Sequence, residues 1–265
     1  MLAQQRQSQI LARLSDAGGV RVADLARTLE VSEETIRRDL EQLGRTGRLV
    51  RTHGGAVPVP EERRDPPFDV RQTAHHAEKR AIALAAVRHV ADGDVLALDA
   101  SSTAYELACV LPDLPVTVIT NSVPTSAALV GRRNVRVICT GGVLENRTRS
   151  FLGSLAEDAL KRFNITKLFL SAKGIDPARG LSEVADEQAR YKRCLLDLAA
   201  QAYLLLDHTK LGVRSVVFFA PVTEVNLLIT DAAADAGVLR ELHERGLQTQ
   251  IAGEDPSTLP ERSVR

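Results

Sequence analysis

Between residues 79 and 252, short apolar runs of strand length alternate with segments whose apolar residues recur at helical spacing. Parallel strands need long crossover connections, which are usually helices, so this alternation is typical of a mostly parallel β-sheet. We therefore predict an α/β domain whose sheet is covered by helices on both faces. The predicted strands are Val95–Leu98, Val116–Ile119, Val135–Cys139, Leu168–Leu170, Ala202–Leu206 and Leu227–Ile229, and the predicted helices include Thr103–Leu111, Ser154–Phe163 and Glu187–Ala200.

The first 56 residues have a different pattern, in which three short segments each have apolar residues at helical spacing. Gly18-Gly19 ends the first segment, and Ser32 stands at the N-cap position of the third. About three residues separate the second and third helices, which predicts a helix-turn-helix whose second helix can enter the major groove of DNA. The apolar positions are Ile10, Leu11 and Leu14, then Val22, Leu25, Ala26 and Leu29, then Ile36, Leu40 and Leu43.

The third helix and the segment after it carry the residues that we expect to contact DNA. With its apolar residues turned inward, the first half of this helix presents hydroxyl and guanidinium groups that suit phosphates and base edges. Residues 49–56 are typical of a Gly-rich β-hairpin wing. The alternative is an ordinary solvated charged helix, because charge alone does not favour DNA. The predicted DNA-binding residues are Ser32, Thr35, Arg37, Arg38, Arg48, Arg51 and His53.

Polar clusters follow the predicted strands of the second domain. The carboxyl ends of parallel strands meet at one edge of the sheet, where open α/β sheets bind ligands. A small anionic, hydroxylated molecule suits this edge. Amides and hydroxyls at helix starts can bind its anionic group, glycines let the backbone approach it closely, and a lysine supplies positive charge. Asp99 would repel a phosphate, so we assign it to sugar hydroxyls or to orienting its own loop. The predicted effector-binding residues are Asp99, Ser101, Ser102, Thr103, Asn121, Ser122, Gly141, Gly142, Lys173, Gly174, Asp207 and Lys210.

Each of these clusters has a simpler interpretation when it is taken alone, because Ser, Thr, Asn and Asp at strand ends are often helix caps and turn formers. Lys173 and Lys192 could face either a ligand or water. We assign Arg147 and Arg149 to water, and His208 to packing or hydrogen bonding.

Composition divides the chain into four parts. Residues 1–56 form the predicted winged helix-turn-helix domain, 57–78 a linker with four prolines, 79–252 the effector-sensing α/β domain, and 253–265 a polar, disordered tail. Three widely spaced cysteines exclude a disulfide framework and a CxxC metal knuckle and fit a reduced cytoplasm. No stretch longer than 18 residues is free of charge, which argues against a membrane span, and the N-terminus lacks a signal-peptide pattern.

The segment SEETIRRDLEQLGRTGRLVRTHGGA resembles the N-terminal winged helix of DeoR-family bacterial transcription regulators, with VSEETIRRDL and RTHGGA as its specific signatures. Glu30 departs from the family pattern, which commonly has Gly before Val-Ser. If this position needs a positive φ, Glu costs about 1 kcal/mol relative to Gly.

The second part of the chain resembles the effector domain of the same family. The matching elements are Thr120-Asn-Ser122, Gly141-Gly142, Gly174-Ile-Asp176, Asp207-x-x-Lys210, and Phe68, Arg71 and Lys79. The family's Asp-x-Gly-Thr-Thr is present here as Asp99-Ala-Ser-Ser-Thr103, so a side chain at position 101 narrows the approach of the backbone to a ligand. The resemblance implies a fold related to ribose-phosphate isomerases and CoA transferases, phosphorylated sugars or their catabolites as effectors, and repression as the commoner behaviour.

The leading hypothesis is a cytoplasmic repressor whose affinity for a double-stranded DNA operator is controlled by a phosphorylated sugar or catabolite. A homodimer or homotetramer that reads repeated half-sites is expected, because one winged helix makes few contacts. We assign no catalytic residue, metal or cofactor. Two alternatives stay open, namely constitutive DNA binding with an oligomerisation domain, and an isomerase-like enzyme that uses Asp99, Glu187, Asp207 and Lys210.

Overall fold

The computed structural model describes residues 3–45, 48–57 and 65–253. The chain divides into two compact units, of which the first is built on the residues up to Asp65 and the second begins at Pro66. Most of the predicted tail, 253–265, and residues 58–64 of the predicted linker lie outside the described residues.

The first unit contains three helices and a small antiparallel sheet. Its buried apolar side chains are the ones that the helical spacing placed inward, including Ile10, Ile36 and Leu40, which are almost fully buried. The predicted winged helix-turn-helix is therefore confirmed. The elements are α1 (Ala3–Ala17), β1 (Val20–Arg21), α2 (Val22–Thr28), α3 (Glu33–Arg45), β2 (Val50–Thr52) and β3 (Gly55–Val57), with the strand order β1-β3-β2.

The second unit is built on a seven-stranded sheet in which every pairing is parallel. The predicted fold class is confirmed, and all six predicted strands lie in this sheet. The strands are β4 (Val95–Leu98), β5 (Val116–Thr120), β6 (Val135–Cys139), β9 (Ile165–Leu170), β12 (Ala199–Leu205), β14 (Leu227–Thr230) and β15 (Gln248–Ile251), in the order β15-β14-β12-β9-β4-β5-β6.

Helices cover both faces of this sheet, and each face has its own apolar core. Leu168 and Leu204 belong to one core, whereas Phe169 and Leu205, the next residue on each strand, belong to the other. Successive side chains of a strand point to opposite faces, so this division places the sheet between two helical layers. The helices are α4 (Phe68–Thr73), α5 (His76–Ala86), α6 (Ser102–Val110), α7 (Val123–Ala128), α8 (Ser154–Leu160), α9 (Asp186–Leu198) and α10 (Ala236–Glu244).

Two smaller antiparallel assemblies complete the second unit. One is a hairpin of β7 (Val143–Glu145) and β8 (Ser150–Leu152), and the other is a three-stranded sheet with the order β10-β11-β13. The strands of that sheet are β10 (Gly174–Asp176), β11 (Gly180–Glu183) and β13 (Val217–Ala220). No helix among the described residues has the length and apolar character needed to cross a membrane.

The structure differs from the sequence prediction over the linker, 57–78. Its described residues include α4 and the first residues of α5, and Phe68 is almost fully buried. Pro67 is the N-cap of α4, so the proline pair ends an extended segment and starts a helix. This part of the predicted linker is folded as part of the second unit.

Candidate DNA interface and ligand site

The N-terminus of α3 is fixed by the cap that the sequence predicts. The Ser32 hydroxyl accepts a hydrogen bond from the Thr35 amide at 3.2 Å and lies 2.9 Å from the Thr35 hydroxyl. Just before this cap, Glu30 has a φ of 53°, so the position that favours glycine in the family does have a left-handed backbone. The turn between α2 and α3 thus keeps its conformation despite the larger side chain.

The two predicted recognition arginines lie on the exposed surface of α3. Arg37 pairs with Glu33 at 2.7 Å, and Arg38 pairs with Glu34 at 3.3 Å, each one helical turn earlier. About half of the Arg37 side chain and three quarters of the Arg38 side chain are exposed. Exposed pairs of this kind are worth roughly 0.3–0.5 kcal/mol, so a phosphate or a guanine can replace the glutamate at little cost.

The predicted wing is the hairpin of β2 and β3, with His53 and Gly54 between the strands. Arg51 lies on β2 opposite Ala56, and Arg48 precedes the hairpin. Arg48, Arg51 and His53 are all exposed. The structure therefore leaves the three predicted wing residues accessible in the first unit.

A polar clamp between α1 and α3 was not predicted. Arg6 donates two hydrogen bonds to the Asp39 carboxylate, and Gln7 donates a third at 3.2 Å. The Arg6 and Asp39 side chains are only 11% and 6% exposed. The clamp holds the recognition helix against α1, and the missed signal is an aspartate on a helix position that faces the core.

Asp99 lies at the centre of the carboxyl edge of the large sheet and is fully buried. One of its oxygens accepts hydrogen bonds from the Ser101 hydroxyl at 2.5 Å and the Ser101 amide at 3.2 Å. The other accepts from the Ser171 amide at 3.2 Å and lies 3.1 Å from the Lys192 ammonium. Asp99 thus orients the loops that follow β4 and β9, one of the two roles assigned to it.

Lys192 is buried, so the water-facing alternative for this residue is wrong. Its ammonium contacts Asp99, forms a short ion pair with Glu183, and donates to the Ser171 carbonyl at 2.7 Å. Burial disfavours the Lys192 charge, but the two carboxylates outweigh it and raise the pKa of Lys192. This lysine joins α9 to β11 and to the sheet edge.

Two further lysines, Lys210 and Lys79, lie at the same edge, and the nearby carboxylate does not fully balance their positive charges. Lys210 donates to the Ser171 hydroxyl at 3.0 Å and lies 3.7 Å from the Asp207 carboxylate. Burial lowers the pKa of Lys210 although Asp207 opposes the shift. Burial, reinforced by the charges of Lys210 and Arg71, lowers the pKa of Lys79 to about 8. The neighbouring cations repel one another, which is the electrostatic setting of an anion site.

The remaining predicted effector residues divide between helix caps and strand edges. The Ser101 and Ser122 hydroxyls cap α6 and α7, as the simpler interpretation holds. Ser102 and Thr103 are buried at the start of α6, and the Asn121 amide donates to the Phe151 carbonyl of β8 at 2.9 Å.

The glycines at this edge have packing roles. A side chain at Gly142 would lie 2.7 Å from the Leu152 carbonyl, and one at Gly174 would lie 2.3 Å from the Val213 carbonyl. Around Gly141, by contrast, there is open space. Lys173 and Gly174 lead from the edge into β10, and the Lys173 amide donates to the Ser182 carbonyl of β11 at 3.0 Å.

The structure brings Asp99, Ser101, Asp207 and Lys210 together through Ser171, and these four were predicted. Arg71, Lys79 and Ser171 belong to the same cluster but were not among the predicted site residues. Arg71 and Lys79 fall in the linker and its border, where the sequence offered only their match to the family pattern. Ser171 follows a predicted strand, and its position there was the available signal.

Two family profiles match this chain: the DeoR-like helix-turn-helix domain over residues 6–61 and the DeoR C terminal sensor domain over residues 74–232. The uncharacterized HTH-type transcriptional regulator YulB of Bacillus subtilis is 38% identical over 245 residues, covering 92% of this chain and 95% of that protein. The L-fucose operon activator of Haemophilus influenzae is 34% identical, covering 93% and 99% respectively. The transcriptional repressor AccR of Agrobacterium fabrum is 34% identical, covering 86% and 90%.

The sensor-domain profile spans more than half of the chain, and these relatives match it over most of their own length. The signatures found in the sequence at the start of α3, in the wing and at the carboxyl edge of the sheet lie within the residues that these two profiles match. The chain belongs to the DeoR family of helix-turn-helix transcription regulators.

Proposed function

We propose that this regulator binds operator DNA through α3 and the wing, and that a phosphorylated sugar or related catabolite at the carboxyl edge of the sheet controls that binding. The observation that carries the proposal is the group of crowded cations at this edge, of which Lys79 is buried and Lys210 and Arg71 are partly buried. Lys79 and Lys210 both have lowered pKa values, and each lies in the field of Arg71. An anion placed among them would relieve this repulsion.

The same edge offers buried polar groups to a hydroxylated ligand. The Thr103 hydroxyl and the Asn121 side-chain oxygen are buried and have no hydrogen-bond partner among the described residues. Buried groups of this kind usually bind water or a ligand. They support a sugar rather than a bare inorganic anion as the effector.

The DNA interface follows from the predicted residues, which we now propose as contacts: Ser32, Thr35, Arg37, Arg38, Arg48, Arg51 and His53. The cap geometry assigns Ser32 and Thr35 to the end of α3 that can approach a phosphate. We propose a homodimer or homotetramer that acts in the cytoplasm on repeated half-sites. Relatives include both an activator and a repressor. We propose repression, because it is the commoner behaviour in the family.

The geometry of the carboxylates favours a sensor over an enzyme. Asp99 accepts hydrogen bonds from two loops and contacts Lys192, and Asp207 caps the turn at Thr209. Two of the three acids that the isomerase-like alternative would use, Asp99 and Asp207, are therefore engaged in holding loops. Incubation with pentose and hexose phosphates is expected to give no interconversion.

Selection of bound fragments from sheared genomic DNA of the source organism tests the proposal. The selection is run with and without a mixture of sugar phosphates. We expect an enriched motif with repeated half-sites whose recovery changes when the mixture is added. The control is the Arg37→Ala/Arg38→Ala variant, which keeps the α3 core. Equal recovery by the variant would refute the DNA interface, and a motif that ignores every sugar phosphate would refute the effector.

A further inference from the structure

Helix α4 lies between the ligand site and the hairpin of β7 and β8, and it begins three residues after Asp65, where the first unit ends. It is only six residues long, so its position depends on the contacts of its side chains and ends. These contacts fall into three groups.

The first group attaches α4 to the hairpin. The Phe68 amide donates to the Arg147 carbonyl at 2.9 Å, and Asp69 pairs with Arg149 at 2.6 Å. The Phe68 ring is buried and lies edge-on to Tyr105 of α6, with the ring centroids 5.4 Å apart. Arg149 is exposed, as its assignment to water predicts, and its ion pair with Asp69 lies at the surface.

The second group attaches the end of α4 to α5. The Lys79 ammonium donates to the Arg71 carbonyl at 2.5 Å and also to the Ala74 carbonyl. His75, between the two helices, has a φ of 51°, and its ring lies 5.5 Å from the ring of His208. One lysine of the cationic cluster thus closes the last turn of α4.

The third group is the weakest and consists of Arg71. Its Nε donates to the Pro66 carbonyl at 3.1 Å, within the same segment, and its Nη1 reaches the Ala100 carbonyl only at 3.5 Å. Its Nη2 is buried and has no hydrogen-bond partner among the described residues. A buried guanidinium donor without a partner costs free energy that a ligand oxygen would recover.

We propose that Arg71 binds the anionic group of the effector through this free Nη2. Helix α4 is thereby the element through which binding of the effector changes the affinity for DNA. The inference rests on the proposed function and names the residue and helix that carry its regulation. Arg71 contacts the loop that Asp99 orients, so an anion held by Arg71 and Lys210 bridges α4 to the strand ends. The bridge replaces the weakest attachment of α4 with a charge-assisted one.

Hydrogen exchange of the full chain, followed peptide by peptide, tests this inference. The probes are inorganic phosphate and a panel of pentose and hexose phosphates. We expect a binding probe to slow exchange both in the loop at 99–103 and in α4. In Arg71→Met the loop is still protected at saturating probe, α4 is not, and affinity for the probe falls about 10- to 100-fold.

Two further variants separate binding from structure. Arg71→Lys keeps the charge but has one nitrogen in place of the three of the guanidinium group, so it is expected to recover part of the affinity and little of the protection of α4. Arg133→Met removes an exposed arginine elsewhere in the second unit and is expected to behave as wild type. Unchanged hydrogen exchange of the large sheet in Arg71→Met without a probe shows that the second unit of the variant is folded.

The outcomes distinguish this inference from the proposed function. If a sugar phosphate protects the loop but not α4, or if Arg71→Met keeps the full response of DNA affinity at saturating probe, the role of α4 is wrong and the proposed function stands. If no probe changes exchange at the edge of the sheet, both are overturned.

Discussion

At the scale of single residues, Glu30 shows a cost that the sequence already indicated. Its φ of 53° confirms that the turn before α3 needs a left-handed backbone. Glu30→Gly removes a strain of about 1–2 kcal/mol and adds about 0.5–1 kcal/mol of unfolded-state entropy, so a net gain of roughly 0.5–1 kcal/mol is expected. Native-state hydrogen exchange of α2 and α3 measures it.

The matched control for Glu30→Gly is Glu34→Gly, which lies inside α3. Glycine there is expected to destabilise the helix by about 1 kcal/mol. The same substitution should therefore have opposite signs at the two positions. Destabilisation at both would show that the strain at Glu30 is relaxed in solution.

Substitution of Arg51 and substitution of Arg37 are expected to change DNA binding in different ways. Arg51 lies on the wing, so Arg51→Ala should lower affinity for all sequences and reduce the slope of log affinity against log salt by about 1. Arg37 lies on α3, so Arg37→Ala should change the preferred base at one position of each half-site. Binding of a randomised operator library at several salt concentrations measures both, and an unchanged base preference in Arg37→Ala would exclude Arg37 from base contacts.

At this scale the sequence predicted residue types well and partners poorly. Ser32 caps α3 as its position indicates, because a cap is a local feature. Lys192 could not be assigned, because its partners Asp99 and Glu183 are distant in the chain. Arg71 and Lys79 could not be assigned for the same reason, since only the folded chain brings them near Lys210.

At the scale of elements, the clamp between α1 and α3 fixes the recognition helix. Asp39→Ala leaves the Arg6 guanidinium buried without its carboxylate, which is expected to cost about 3 kcal/mol of stability in the first unit. Asp24→Ala breaks an exposed pair with Arg27 and should cost under about 1 kcal/mol. Native-state hydrogen exchange of α1 and α3 compares the two, and equal small effects would show that the clamp is open in solution.

The link between α4 and α5 predicts a dependence on pH. The pKa of Lys79 is about 8 in the folded chain against 10.5 ordinarily, so between these values the unfolded chain binds more protons at this residue. Its contribution to the free energy of unfolding therefore rises with pH from about 8 to 10.5. Lys79→Met should lack this rise, which urea unfolding at several pH values measures. Parallel pH profiles for the two proteins would contradict the lowered pKa.

Elements with strong apolar periodicity were predictable, and elements held by context were not. All six apolar runs became strands of the large sheet, because buried parallel strands need continuous apolar residues. The edge strand β15 reads Gln-Thr-Gln-Ile and has no such run. Helix α4 was hidden in a Pro-rich segment, where the proline pair marks a helix start rather than a flexible tether.

At the scale of the whole molecule, we propose that binding of the effector in the second unit and binding of DNA by the first unit are coupled in free energy. The chain has 34 basic and 34 acidic residues, so its net charge does not attract it to DNA, and we propose that α3 and the wing supply the attraction locally. We propose that the cations at the carboxyl edge of the large sheet, in the second unit, bind a small anion. An effector can change the affinity for DNA only if it binds the DNA-bound chain and the DNA-free chain with different affinities.

The most direct test of this account is a pair of affinities measured on one preparation. One is the affinity for a selected operator with and without a saturating sugar phosphate, and the other is the affinity for that sugar phosphate with and without operator. Linkage requires the two to change by the same factor, which we expect to be roughly 5- to 150-fold. A sugar phosphate that binds at the sheet edge while both affinities stay unchanged would contradict the central claim.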